Sequence, residues 1–430
     1  MLQSRASTDA LSDQVIRMAG PPERIVLGLE RMRTAMALLD LPARLPMPVI
    51  TVAGTNGKGS TVACLETFYR QAGYRVAAYT SPHIWSFNER LRLNGTSAPM
   101  SDWDAALDDI AAVAGSIALT FFEITTLAAV KILCAAQVDL AILEVGLGGR
   151  LDAVNAFDPD CSVLTTVDLD HQDWLGPDRL SIGREKSGIF RPDVPALYGD
   201  AANPCASVLE SAAQHQVPLQ LLGRDFDFDA QARRWWGFGQ TLAIPEPLWP
   251  AAAQWQNLAL ALAAVWFLQK KLPVSAAALS HWSIRPDLPG RAQMLRPWGE
   301  NGPRLIVDVA HNPQAVAQLA TLLEGQGGRC HAVVAMLADK DVAGTLKNLL
   351  RRVEVWHVLE ITDTPRAASA ASLQKCLWEM GAAHVEIEEN MQTALDALGS
   401  VLTADDSIVC FGSFHLVKQL PRQWLDGTSV

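Results

Sequence analysis

A chain of 430 residues is longer than one ordinary core accommodates. Compact domains usually run to roughly 100 to 200 residues, so two domains are expected. Its 49% hydrophobic and 19% charged content excludes a disordered chain, because that much apolar surface suffices for a packed core. A net charge of -11 without any Lys/Arg run argues against a nucleic-acid partner, although a small anionic substrate needs only a few local cations.

The seven cysteines are scattered without a C-x-x-C pair, which reads as small core residues in a reducing cytoplasm. The opening "MLQSRASTDALSDQ" lacks the apolar core of a signal peptide. No stretch reaches the roughly 18 uncharged apolar residues of a membrane span. A soluble cytoplasmic protein is expected, with no membrane partner.

Along the chain, short apolar runs alternate with helix-period segments. "PVITVAG" (48 to 54), "RVAAYTS" (75 to 81), "DLAILEVG" (139 to 146), "CSVLTTVD" (161 to 168) and "VPALYG" (194 to 199) read as buried strands. Their alternation with helices predicts a parallel α/β sheet. Between the first two runs lies "GTNGKGS", Gly54, Thr55, Asn56, Gly57, Lys58, Gly59 and Ser60. Val62, Leu65, Phe68 and Ala72 then recur at helical spacing up to Gly73. A glycine-rich turn between strand and helix lets backbone N–H groups approach phosphate oxygens, with Lys58 adding a full charge. The spelling departs from G-x-x-x-x-G-K-[ST], because Gly59 separates Lys58 from Ser60. The plainer alternative is a glycine turn with a solvated lysine.

"TSPH" places Ser81 after the second strand, where a hydroxyl ligand or an ordinary Ser-Pro turn would both fit. "LEVGLGGRLDAVN" sets Glu144 at a strand end, the edge where parallel sheets gather ligands. Its carboxylate suits magnesium or caps a turn. "VDLDHQDW" puts His171 after the fourth strand, either a ligand or a surface histidine among acids. Lys186 in "REKSGIF" is chemically unmarked. Residues 222 to 250 alternate and are rich in aromatics, predicting an antiparallel insertion or hairpin in which Trp235 and Trp236 pack.

Prolines and a glycine break the pattern across 282 to 295. We therefore expect a phosphate-loop, parallel-sheet ATPase domain over 1–288 and a smaller Rossmann-like doubly wound α/β domain over 289–430. In the second domain "RLIVDVA", "CHAVVAML", "VEVWHVLEIT", "AHVEIEE" and "SIVCFGS" are strand-like. In "IVDVAHNPQAV", Asn312 is placed to cap a helix and Pro313 to occupy its first position. Asp308 and His311 are left as ligand contacts or turn structure.

Together "GTNGKGS", "TSPHI", "FFEITT", "ILEVGLGGRLDAVN", "DHQDWLG", "EKSGIF", "PGRAQ", "DVAHNP" and "FGSFHLV" resemble the folylpolyglutamate synthase and dihydrofolate synthase family of Mur-type ligases, over nearly the whole chain. The resemblance implies that Gly54 to Ser60, with Asn257, Arg291 and Asp308, serve ATP. It implies that Ser81, Glu144 and His171 hold magnesium, and that Lys186 is carbamylated to assist a second Mg2+ ion. Lys58, Lys186 and His311 would be catalytic. Gly28, Leu29, Glu30, Arg31, Phe122, Glu123, Ile124, Thr125, Leu151, Asp152 and Ala153 would serve the pterin substrate, and Ser413, in a tail resembling the bifunctional bacterial form, would also bind substrate. The implied partners are dihydropteroate, reduced folates and L-glutamate, with the protein a monomer. Ser187 stands where many members have alanine. Two rivals stay in view: a peptidoglycan-type Mur ligase, and a nucleotide-sensing module without ligase activity. On the second, Glu144, His171 and Lys186 would be superfluous.

Overall fold

The computed structural model describes residues 5–200, 202–247, 252–283, 288–324 and 327–425. It divides into two compact units, Met1–Leu248 with Trp255–Asp287, and Trp249–Gln254 with Leu288–Val430. Residues 284–287 of the expected break and 248–250 of the expected insertion lie outside the described residues.

The first unit is built on eight strands: β1 (Val49–Ala53), β2 (Val76–Tyr79), β3 (Leu91–Leu93), β4 (Thr96–Ser97), β5 (Leu140–Glu144), β6 (Cys161–Leu164), β7 (Ala196–Tyr198) and β8 (Leu219–Leu221). They lie in the order β4-β3-β2-β5-β1-β6-β7-β8. From β2 to β8 every pairing is parallel, and β3 and β4 add an antiparallel edge. The central strands read as continuous apolar runs because both faces of the sheet are covered. Val49 and Ala53 of β1 enter one core with Ala141 and Leu143 of β5. Ile50 and Val52 enter the other with Leu140 and Ile142. The period-two alternation of a strand thus feeds two cores at once.

The helix Lys58–Gln71 is buried from Gly59 to Tyr69. Its core is shared with the helix Ala253–Leu268 and with residues of the aromatic insertion. That insertion is a three-stranded antiparallel meander, β9 (Phe226–Asp229), β10 (Arg234–Gly237) and β11 (Gln240–Ala243), in the order β11-β10-β9. Trp235 is buried and its Nε1 donates to the Ala259 carbonyl at 3.2 Å. The next residue points to the opposite face, so Trp236 is 41% exposed and does not share that packing.

The second unit has six strands, β12 (Gln293–Leu295), β13 (Arg304–Val307), β14 (Cys330–Val334), β15 (Val355–Val358), β16 (His384–Ile387) and β17 (Ser407–Phe411), ordered β12-β13-β17-β14-β15-β16. Only β12 pairs antiparallel. Helices separate successive parallel strands, the doubly wound pattern expected from the sequence.

At the start of β17 the buried Asp406 ties two loops together. Its carboxylate accepts from the Arg329 N–H at 2.8 Å, the Arg329 guanidinium at 3.0 Å and the Thr403 N–H at 2.8 Å. Burial alone would raise its pKa, but these donors outweigh it and hold the carboxyl well below the usual range. A depressed folded pKa contributes stability that is present above the unfolded value of about 3.9 and lost as pH falls below it. Asp406→Asn should therefore destabilise the protein by about 1–3 kcal/mol. In denaturant titrations, it should also flatten the loss of stability below about pH 4.

Candidate active site

The carboxyl ends of β2, β5, β1 and β6 are neighbours in the first sheet, and the expected ligand segments leave from these ends. The chain leaves β1 through Gly54, whose φ of +147° is outside the range that side-chain-bearing residues adopt readily. A Cβ there would lie 1.8 Å from Thr165 Oγ1, so the turn needs glycine on both counts. Thr55 N–H donates to the Thr166 carbonyl at 2.8 Å, and Thr165 Oγ1 donates to the Asn56 carbonyl at 2.6 Å. Asp168 N–H reaches Thr55 Oγ1 at 3.0 Å. The loop is thereby fastened to the segment after β6. Asn257, on the helix Ala253–Leu268, lies directly over Gly57, with Oδ1 2.3 Å from where a Cβ would stand.

Lys58 opens the following helix, and its Nζ donates to the carbonyls of Gly54 at 3.0 Å and Thr55 at 3.2 Å. Lys186, which the sequence left unmarked, is 5% exposed and donates to the same Gly54 carbonyl at 3.0 Å. Its helix, Arg179–Ser187, is anchored by close backbone approach: a Cβ on Gly149 would meet the Lys186 carbonyl at 2.7 Å. Arg150 N–H donates to the Glu185 carbonyl at 2.7 Å. The small residue in "GLGGR" thus seats the lysine helix. Ser187 is buried and its Oγ donates to the Arg184 carbonyl at 3.2 Å, within the same helix.

Glu144 ends β5 and is buried, Ser81 follows β2 half-buried, and His171 follows β6 in a left-handed conformation with its side chain 32% exposed. The His171 ring lies 3.9 Å from Asp170. A hydroxyl, a carboxylate and an imidazole at three of these strand ends are a donor set suited to a divalent cation. Three protein donors would leave the remaining positions of such an ion to phosphate oxygens and water.

The segments assigned to the pterin come together. Gly28 N–H donates to the Leu151 carbonyl at 3.3 Å, and Arg31 Nε donates to Glu123 Oε1 at 3.1 Å and Oε2 at 3.2 Å. The Phe122 ring covers Gly146 and lies 6.1 Å from Tyr79. Leu29 precedes the helix Glu30–Leu38 and is buried, whereas Glu30 is exposed. Ile124 and Thr125 are fully buried, Thr125 Oγ1 donating to the Phe121 carbonyl at 2.7 Å within its helix. Asp152 is buried and caps the short helix Ala153–Ala156, whose first residue is also buried.

In the second unit Asp308 Oδ2 accepts from Ala292 N–H and Oδ1 from Ala310 N–H, both at 2.7 Å. Burial pushes its pKa up against the opposing Arg291 guanidinium. His311 Nδ1 lies 2.8 Å from the Val309 carbonyl, and Arg291 stacks over Phe414 at 5.2 Å. Asn312 caps the helix Pro313–Leu322, accepting from Ala315 N–H at 2.9 Å. Ser413 likewise caps the helix Phe414–Lys418, accepting from Leu416 N–H at 3.0 Å. Arg291, Asp308, His311 and Ser413 thus all lie on loops after β13 and β17 or beside them.

Residues 290–414 match the family model described as "Mur ligase, glutamate ligase domain". The chain is similar to the dihydrofolate synthase/folylpolyglutamate synthase of Escherichia coli K12, 40% identical over 92% of this chain and 91% of that protein. It belongs to the dihydrofolate synthase/folylpolyglutamate synthase family. Among solved structures, Escherichia coli FolC in complex with DHPP and ADP matches with a TM-score of 0.85 and 39% identity, over 96% of both chains. A bifunctional folylpolyglutamate synthase/dihydrofolate synthase with Mn, AMPPNP and L-glutamate bound matches with a TM-score of 0.85 and 37% identity, over 95% of this chain and 96% of that one.

Within this family fold, the structure adds residues that motif reading passed over. Thr165, Thr166 and Asp168 hold the phosphate loop, and their signal was the polar pair closing "CSVLTT". Arg90 is buried between Phe87 and Phe121 and donates from Nε to His83 Nδ1 at 2.9 Å. Its pKa is lowered, chiefly by burial.

Asp152 has the most telling titration. Burial raises its carboxyl to about 7, although the Leu147 and Val154 N–H groups at 2.8 and 3.0 Å and the charge of Lys58 favour the anion. A raised folded pKa contributes stability that is full below the unfolded value of about 3.9 and is lost as pH rises through the folded one. Asp152→Asn should therefore abolish a fall in stability between about pH 4 and pH 7 that the parent protein shows in urea titrations.

Proposed function

We infer that the chain is a bifunctional ATP-dependent ligase, adding L-glutamate to dihydropteroate and to reduced folates through an acyl phosphate. The observation that carries this reading is the convergence of Lys58 and the buried Lys186 on the Gly54 carbonyl, in a glycine turn fastened to the segment after β6. That convergence supports a phosphate role for Lys58 as the cation of the turn and puts Lys186 beside it as the lysine open to carbamylation. A nucleotide-sensing module would have no use for a second, buried lysine there.

A carboxylate is a poor electrophile, so the substrate acid must first be activated. Phosphoryl transfer from ATP makes the acyl phosphate, and the glutamate amine then attacks its carbonyl carbon and expels phosphate. Lys58 would stabilise negative charge on the phosphoryl group during transfer. Backbone N–H groups of Gly57 to Ser60, opening the helix Lys58–Gln71, would hold the nucleotide phosphates, with Asn257 beside them. Ser81, Glu144 and His171 would hold Mg2+, which when bound offsets phosphate charge. Carbamylation of Lys186 would replace its cation by a carboxylate, suiting a second ion. Asp152 supplies acceptor oxygens suited to the amino and amide N–H edge of a pterin, with Gly28 to Arg31 and Phe122 beside it. Arg291 and Asp308 would serve ATP, His311 would act as a catalytic group, and Ser413 would serve the folate substrate. The seven free cysteines fit a cytoplasmic protein, which we take to act as a monomer.

Phosphate release from ATP should require both L-glutamate and either dihydropteroate or a tetrahydrofolate; equal release without them would sink the ligase reading. Lys58→Ala should lower turnover by about 100-fold or more while keeping the parent's circular dichroism. Native mass spectrometry in bicarbonate should show one carbamate adduct, absent from Lys186→Ala.

A further inference from the structure

The second unit carries a cluster that the ligase chemistry does not use. His357 on β15 and Glu386 on β16 are direct cross-strand partners, and Glu388 follows on the same side two residues later. His357 Nδ1 lies 2.7 Å from Glu388 Oε1 and 3.6 Å from Glu386 Oε2. One ligand atom from each of the three side chains falls within 4.8 Å of the others. Two atoms each about 2.0 Å from a tetrahedral ion stand about 3.3 Å apart, so these separations bracket the spacing such an ion requires.

A fourth residue completes the case. His331 on β14 is buried, stacks on His357 with ring centres 5.4 Å apart, and places Nδ1 3.1 Å from His357 Nε2. A metal-ligating imidazole commonly spends its second nitrogen on a fixed partner, and His331 is that partner for His357. With an ion on Nδ1, the His357 proton sits on Nε2 and is donated to His331 Nδ1. Exposure grades outward, with the side chains of His357, Glu388 and Glu386 at 6%, 20% and 63%, so the site opens to solvent. His331, His357 and Glu386 sit in the strands and Glu388 directly follows β16, whereas Asp308, His311 and Ser413 follow β13 and β17.

We propose that His357, Glu386 and Glu388 form a binding site for a borderline divalent transition-metal ion, with His331 orienting His357. One imidazole nitrogen and two carboxylates, with water in the fourth position, suit Zn2+ or Co2+ better than Mg2+. The ion would clip the edge strand β16 to β15.

The full chain, stripped with chelator and then saturated with Mg2+ and ADP to occupy the nucleotide-linked site, is titrated with Zn2+ by calorimetry and with Co2+ by visible absorption. One Zn2+ per chain and a saturable Co2+ spectrum are expected. Glu386→Gln, an exposed change that leaves the fold intact, should weaken Zn2+ at least tenfold. His331→Ala should weaken it about 10- to 100-fold without changing the stoichiometry. Absence of saturable binding in the parent chain, or an unchanged isotherm in Glu386→Gln, overturns the proposal.

Discussion

The Gly54 carbonyl is the point on which the candidate site depends. Two ammonium groups from sequence positions far apart, Lys58 and Lys186, each approach it at 3.0 Å. Like charges on one oxygen repel, and in a partly buried setting water screens them weakly. The fold pays for this by over-determining the turn: Gly54 has no Cβ to collide with Thr165, and Thr165, Thr166 and Asp168 fasten Thr55 and Asn56 from the next strand. The result is a turn fixed from several sides, with two lysine side chains held at one backbone oxygen.

Strand order explains how the supporting segments reach that turn. Because β5 lies between β2 and β1, and β6 lies on the other side of β1, the loops after four strands converge around one loop. Glu144 and Asp152 therefore belong to the same electrostatic neighbourhood, since both act on the buried Tyr79 at the end of β2, and Lys58 acts on Asp152. The Gly28–Leu151, Arg31–Glu123 and Phe122–Gly146 contacts close the wall on the far side. The glycine turn and the candidate ligand segments after β2, β5 and β6 are thus neighbours through a single crossover pattern.

The sequence made the long apolar strands legible because both faces of the sheet are buried, leaving uninterrupted runs at β1, β5, β14 and β17. The short strands β3, β4, β8 and β12 gave too few residues for periodicity, although Asn94-Gly95, with both residues at positive φ, is a hairpin signal that was there to be read between β3 and β4. The phosphate loop was visible by its glycines. Lys186 was visible only through family resemblance, because its significance lies in its burial and in a hydrogen bond spanning 132 positions. The threonine pair closing "CSVLTT" marked a polar strand end but not its partner Asn56, and the Arg90–His83 contact was likewise illegible, as each depends on which strands or loops become neighbours.

Three aspartates show how environment divides one side chain between structure and function. Asp406 and Asp152 both expose little surface, but Asp152 lies far deeper among protein atoms and so loses more hydration. Asp406 is held low by a guanidinium in direct contact and by further N–H donors, so its bonding capacity is consumed in joining loops. Asp152 receives backbone donors and only a longer-range charge from Lys58, and its carboxyl rises to about 7. Asp308 also stays raised, although Arg291 opposes the effect of burial. A carboxylate left under-compensated in the folded chain stands to gain most from an added cation or N–H donor. Asp152 and Asp308 thus keep a cost of burial in the folded chain, whereas Asp406 is committed to joining loops.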